Sequence, residues 1–107
     1  MTPEKRVQNQ IFKFIRELNQ KGAPVFCERR QAGGFSYKAG SPDLWFVYNG
    51  QHVEVEVKSE TGKMSSMQET WKRYFEQAKV LHICCNDSKQ FKEELKINFP
   101  DIIQYLD

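Results

Sequence analysis

Asp43, Glu56 and Lys58 are the residues whose types and spacing could work together chemically. They lie in the run GSPDLWFVYNGQHVEVEVK at positions 40–58. Side chains two apart on a strand share a face, so Glu54, Glu56 and Lys58 point one way and Val53, Val55 and Val57 the other. Asn49-Gly50 is a strong hairpin signal, and a two-residue turn there pairs Tyr48 with Gln51. On that register Leu44 meets Val55, Phe46 meets Val53, and Asp43 stands across from Glu56. Opposed Cβ atoms are about 4.5–5.5 Å apart, so two like charges repel unless something positive lies between them. Hard divalent cations with oxygen ligands suit such a pair, and Mg²⁺ takes one or two carboxylates while keeping waters. Lys58, on the same face, can reach a phosphate oxygen or a metal-bound water. This is a constellation for phosphodiester hydrolysis. The alternative is an amphipathic hairpin with one solvated, charged face.

The elements that must position these residues follow from the rest of the chain. Thr2 reads as an N-cap with Pro3 at the first helical position. Val7, Ile11, Phe14, Ile15 and Leu18 then recur at helical spacing, with the helix ending near Gly22. PVFCERR predicts a short strand, and QAGGFSYKAGSP, with Gly33, Gly34, Gly40 and Pro42, a loop. Leu44 to Tyr48 and Gln51 to Lys58 are the hairpin strands. Overlapping capping boxes, Ser65 to Gln68 and Ser66 to Glu69, start a helix whose apolar side is Met67, Trp71, Tyr74, Phe75 and Ala78. VLHICC is a fourth strand. Asp87 and Ser88 compete to cap a helix running to about Ile97, and Pro100 interrupts before a final turn. The order predicts an α/β fold, an αβββαβ core with a mixed central sheet and an extra C-terminal helix, in one domain spanning residues 1–107.

Composition bounds the partners. Sixteen Lys and Arg against fourteen Asp and Glu leave a net charge of +2, too small to imply nucleic-acid binding without a site. Three cysteines without a CxxC argue against a disulfide framework and for a reducing compartment. His82 and Cys84, with Cys27, lack zinc-ligand spacing and read as packed side chains. No signal peptide and no apolar run of membrane-spanning length is visible, so the expectation is a cytoplasmic protein with no membrane partner. INFPDIIQYL carries Ile97, Phe99, Ile102, Ile103, Tyr105 and Leu106. It is apolar material either for a homodimer interface or for covering the sheet edge beside Val80 to Cys84.

SPD at 41–43 followed by EVK at 56–58 resembles the PD-(D/E)XK nuclease signature. GSPDLWF, VEVKSETGKMSSMQETW and an N-terminal helix carrying Glu4 and Gln8 resemble, within that superfamily, the virus-type replication-repair nuclease domain, VRR-NUC. The resemblance runs from about Glu4 to Cys84. It implies a restriction-endonuclease-like fold in which Asp43, Glu56 and the backbone carbonyl of Val57 hold Mg²⁺ or Mn²⁺. It further implies that Lys58 orients or activates the attacking water, that Gln68 faces the same site, and that Glu4 adds a carboxylate from the first helix, with Glu17 and Glu28 as other candidates. Glu54 lies outside the signature, as a neighbour of the site or a partner for a basic side chain.

The implied activity is metal-dependent DNA endonuclease action, leaving a 5′-phosphate, on four-way junctions or other branched DNA, by a homodimer. A module that kept the fold without its chemistry would lack a metal carboxylate or the lysine, and all three are present here. Lys38, Lys63, Lys72 and Arg73 are the candidate phosphate contacts, with Lys63 favoured by its place just past the Lys58 strand. Gln68 is also the N3 residue of a capping box and reads equally as a helix cap. Trp71 reads as core rather than as a base-stacking platform. Phe35 and Tyr37 fit a base, a partner subunit or their own core.

Overall fold

The computed structural model describes residues 2–30, 42–58 and 63–106. Lys38, Phe35 and Tyr37, with the loop that carries them, lie outside the described residues. Helix α1 (Pro3–Gln20) starts where the sequence predicts: the Thr2 hydroxyl accepts the Lys5 N–H at 3.1 Å. It ends at Lys21, and Gly22 takes the left-handed φ of 97° that turns the chain toward the sheet. Strand β1 (Val25–Arg29) follows, then β2 (Leu44–Tyr48) and β3 (Gln51–Val57). Asn49 and Gly50 have φ of 49° and 86°, the two positive angles of a type I′ turn.

Helix α2 (Ser66–Gln77) carries the chain across to β4 (Leu81–Cys85), which pairs parallel with β3. The sheet order is β1-β2-β3-β4, antiparallel except for that last pair, so the sheet is mixed. Asp87, rather than Ser88, caps α3 (Ser88–Asn98), taking the Gln90 N–H at 2.7 Å. A 3₁₀ turn, Pro100–Tyr105, closes the chain.

The core lies on the valine face of the hairpin. Val53, Val55 and Val57 are buried there with Leu44 and Phe46, under Ile11, Ile15 and Leu18 of α1 and Phe91 and Leu95 of α3. Phe91 sits edge-on to both Phe46 and Phe14, at 5.9 and 6.5 Å between ring centres. The charged face is not solvated: Glu54 and Glu56 are each 1% exposed, so both sides of β3 are shielded. Helix α2 lies on this second face, with Phe75 stacked on His82 of β4. The apolar side expected of α2 is only partly covered. None of its residues is buried, and Met67 and Tyr74 are exposed.

The C-terminal segment is committed to its own domain. Ile102 is 1% exposed, and Phe99, Tyr105 and Leu106 pack against the core. The buried Tyr48 hydroxyl donates to Asp101 at 3.0 Å, and burial, then the Asp101 contact, push that phenol up to about 12. Only Ile97 and Ile103 remain exposed among the tail's large apolar side chains, which removes most of the apolar surface anticipated for a subunit interface. Replacing Ile102 with Ala should therefore destabilise the fold by about 2–5 kcal/mol. The same change at Ile103, 58% exposed, should cost less than about 0.5 kcal/mol in urea melts. Equal costs would contradict this packing.

Candidate active site

The hairpin register is the one expected, from Tyr48 opposite Gln51 to Leu44 opposite Val55. In an antiparallel pair, hydrogen-bonded positions recur every second residue. Here Tyr48, Phe46 and Leu44 turn their backbones toward β3, while the Asp43 carbonyl turns toward β1 and accepts the Arg30 N–H at 3.0 Å. The next position facing β3 is Pro42, opposite Val57. Proline has no N–H, so the Val57 carbonyl is denied its ladder donor. The Val57 N–H has also left the ladder, for it donates to Oδ2 of Asp43 at 2.7 Å. One irregularity at the strand end thus anchors the Asp43 carboxylate beside Glu56 and strips a neighbouring carbonyl of its partner.

Glu56 is a strained group. Both its oxygens are buried, and among the described residues neither makes a hydrogen bond of ordinary geometry, although the Asp43 carboxyl and main-chain N–H act on it from close by. Among the described residues Lys58 Nζ forms its ion pair, 3.6 Å from Oε1, too long for a hydrogen bond. Burial first, and the Asp43 charge second, push the Glu56 carboxyl up to about 8, with Lys58 pulling the other way. Asp43 is raised too, chiefly by burial, with the Glu4 charge adding to it and the Val57 N–H opposing. Without a cation, holding a proton on Glu56 relieves the repulsion between the two carboxyls. The donor set is hard oxygen throughout: two carboxylates and a carbonyl lacking its usual partner. That chemistry fits Mg²⁺ or Mn²⁺. Among the described residues no three His, Cys, Asp or Glu converge as a metal cage, so Glu4 does not join Asp43 and Glu56 as a third candidate ligand.

Lys58 is fixed at both ends, because its N–H donates to the Cys85 carbonyl at 2.9 Å and continues the β3–β4 ladder past the strand. Glu4, on the first turn of α1, is near enough for its charge to act on Asp43. Gln68 serves the helix cap. Its Oε1 accepts the Ser65 N–H at 2.8 Å and its own N–H donates to the Ser65 hydroxyl at 3.2 Å. That is the capping-box use of its side-chain oxygen. Lys63 is exposed just before that cap. Lys72 is half-buried, and its charge acts on His82 and Cys84 of β4, so it faces the sheet from α2. Arg73 is exposed and donates to the Thr70 hydroxyl.

Glu54 has basic partners. Arg30 grips both its oxygens, at 3.0 Å through Nη2 and more closely through Nη1, and His52 Nε2 contacts Oε2. Neither Arg30 nor His52 stood out from the sequence. Arg30 lies opposite Asp43 on the β1–β2 register, and the number of residues between these strands hides that register from the sequence. His82 presents two buried ring nitrogens without partners among the described residues, and burial lowers its pKa. Cys27 is on β1, at the opposite edge of the sheet from His82 and Cys84. Trp71 is half-buried and stacks on Phe75, 5.7 Å between ring centres.

No protein-family profile matches the chain, and no curated protein does either. A solved structure of a VRR_NUC domain does match, with a TM-score of 0.72 and 23% identity, over 92% of this chain and 99% of its own. At that identity the likeness establishes the fold: this chain folds as a VRR_NUC domain does, with the αβββαβ core expected.

The strained pair has a thermodynamic signature. The unfolded chain ionises Glu56 near the ordinary 4.5, whereas the native, metal-free state holds its proton to about 8. Between those values the native state binds the extra proton, so stability falls as pH rises, by up to about 1.4 kcal/mol per pH unit. Below that window the contribution is fully present. In EDTA the melting temperature should fall from about pH 5 to about pH 8. Glu56→Gln should flatten the fall, and Mg²⁺ or Mn²⁺ should raise the melting temperature most at the alkaline end. A flat profile indifferent to millimolar metal would rule out the site as described.

Proposed function

We propose that this chain is a Mg²⁺- or Mn²⁺-dependent DNA endonuclease that hydrolyses phosphodiester bonds. The observation that carries the reading is the Asp43–Glu56 pair, half-buried and buried respectively, whose Glu56 oxygens lack an ordinary hydrogen bond among the described residues, set beside Lys58 on a VRR_NUC fold. Asp43, Glu56 and the Val57 carbonyl would hold the ion, with Glu4 acting on Asp43 through its charge rather than as a third carboxylate ligand. When bound, a divalent cation polarises the phosphate and lowers the pKa of a coordinated water. Lys58 orients the attacking water and offsets charge on the phosphoryl oxygens. Its backbone anchor and ion pair hold the ammonium in place. Lys63, Lys72 and Arg73, with Lys38, would grip flanking phosphates.

We extend the proposal to branched DNA, the four-way junction above all, cut by a homodimer. Each chain supplies one Asp43, Glu56 and Lys58 set, and paired incisions on symmetry-related strands need two. A C₂ dimer matches that symmetry. With the C-terminal tail packed on its own core, the exposed Met67 and Tyr74 of α2 offer apolar surface for such contact.

Labelled duplex, flap, splayed-arm and four-way DNA should be cut with Mg²⁺ or Mn²⁺ and spared in EDTA. Lys58→Ala should lower cleavage by about 10²-fold or more while circular dichroism reports a folded protein. Because Lys58 is mostly buried against Glu56, that variant should also melt somewhat lower in EDTA. Near-normal cutting by Lys58→Ala would end the mechanism. A monomer that prefers flaps to junctions would end only the junction and dimer extension.

A further inference from the structure

The rewired strand end leaves one group to account for. In a regular ladder the Val57 N–H would donate to the Pro42 carbonyl, but here it donates to Asp43 at 2.7 Å. The abandoned Pro42 carbonyl instead accepts from Nη1 of Arg30 at 3.2 Å. That guanidinium is held in turn by both oxygens of Glu54, itself 1% exposed, and the Arg30 backbone N–H donates to the Asp43 carbonyl at 3.0 Å. Arg30 thus touches the Pro42–Asp43 step twice, once from its side chain and once from its main chain.

We infer that Arg30, braced by Glu54, is a positioning residue for Asp43. Its guanidinium replaces the donor that Pro42 loses, and so allows the Val57 N–H to stay on the Asp43 carboxylate. Without that replacement, the buried Pro42 carbonyl would compete for the Val57 N–H, and restoring the ladder bond would release the carboxylate from its place beside Glu56. The fork geometry is essential, because one group must serve two Glu54 oxygens and a carbonyl. A lysine ammonium keeps the charge but cannot span all three. The consequence for metal binding rests on the nuclease reading above. The consequence for the hydrogen bonds does not.

Arg30→Lys tests both. In a crystal structure of the metal-free variant, the Val57 N–H should be back on the Pro42 carbonyl and the Asp43 carboxylate displaced. Val57 still bonded to Asp43 would overturn the inference. Calorimetric titration with Mn²⁺ should show affinity about 10-fold or more below wild type, the scale expected when a ligand loses its support. That loss should vanish when Arg30→Lys is made in an Asp43→Asn background, since the effect travels through Asp43. Wild-type affinity in the variant, or an equal loss in both backgrounds, would show that Arg30 and Glu54 are only a structural ion pair. If Arg30→Lys does not fold, Glu54→Gln takes its place with the same readouts. Wild-type protein that binds no Mn²⁺ would defeat the metal reading, and the metal-free structure would still decide the role of Arg30.

Discussion

A buried carboxylate, Glu56, that makes no ordinary hydrogen bond among the described residues is the constraint around which this small fold is arranged. Isolated, the ionised Glu56 side chain would be untenable in an interior, since desolvation of an unpaired charge is expensive. It persists because three features surround it. Its raised pKa lets it hold a proton beside Asp43, Lys58 supplies a positive charge at 3.6 Å, and the packed sheet keeps the Glu56 carboxyl from water. The same geometry that raises the proton affinity of the pair would favour a cation, because a proton and a metal ion would compete for one set of oxygens.

The rest of the structure supplies rigidity in proportion to that strain. The valine face of β3 is packed under α1 and α3, so the opposite face cannot tilt to solvate its carboxylates. The parallel β3–β4 pairing continues through the Lys58 N–H to the Cys85 carbonyl, which fixes the lysine beyond the formal strand end. Tyr48 and Asp101 tie the C-terminal turn to β2, closing the hairpin end of the sheet far from the carboxylates. Helix α2 is the exception: it lies on the sheet without a single buried residue, and its role is to carry the crossover and present Lys72 toward β4.

What was legible in the sequence was whatever short-range chemistry dictates. The Asn49-Gly50 turn dictates a register, and that register places Asp43 beside Glu56. The overlapping boxes from Ser65 to Gln68 and Ser66 to Glu69 declare the start of α2 to within a residue, and the structure selects Ser65, whose N–H holds the Gln68 side-chain oxygen. Properties set by long-range packing were not legible. A Glu/Lys alternation does not reveal that its face will be shielded. Helical apolar spacing on α2 does not reveal how little of it the sheet will cover. Arg30 was hidden because the sequence between β1 and β2 carries no short hairpin signal of the Asn-Gly kind, so nothing in the chain announces that it stands across from Asp43.

Proline before aspartate gains a physical meaning in this light. The pair PD is usually read as a label, but each residue acts on the backbone of Val57. Pro42 withholds the ladder N–H from the Val57 carbonyl, and Asp43 diverts the Val57 N–H and is fixed by it. Substituting any other residue at position 42 would restore a donor opposite Val57 and invite the regular ladder to close. Closing the ladder would satisfy the backbone at the cost of the orientation of the Asp43 carboxylate. The strand end therefore stays unfinished, with Arg30 covering the Pro42 carbonyl that the diverted Val57 N–H leaves behind.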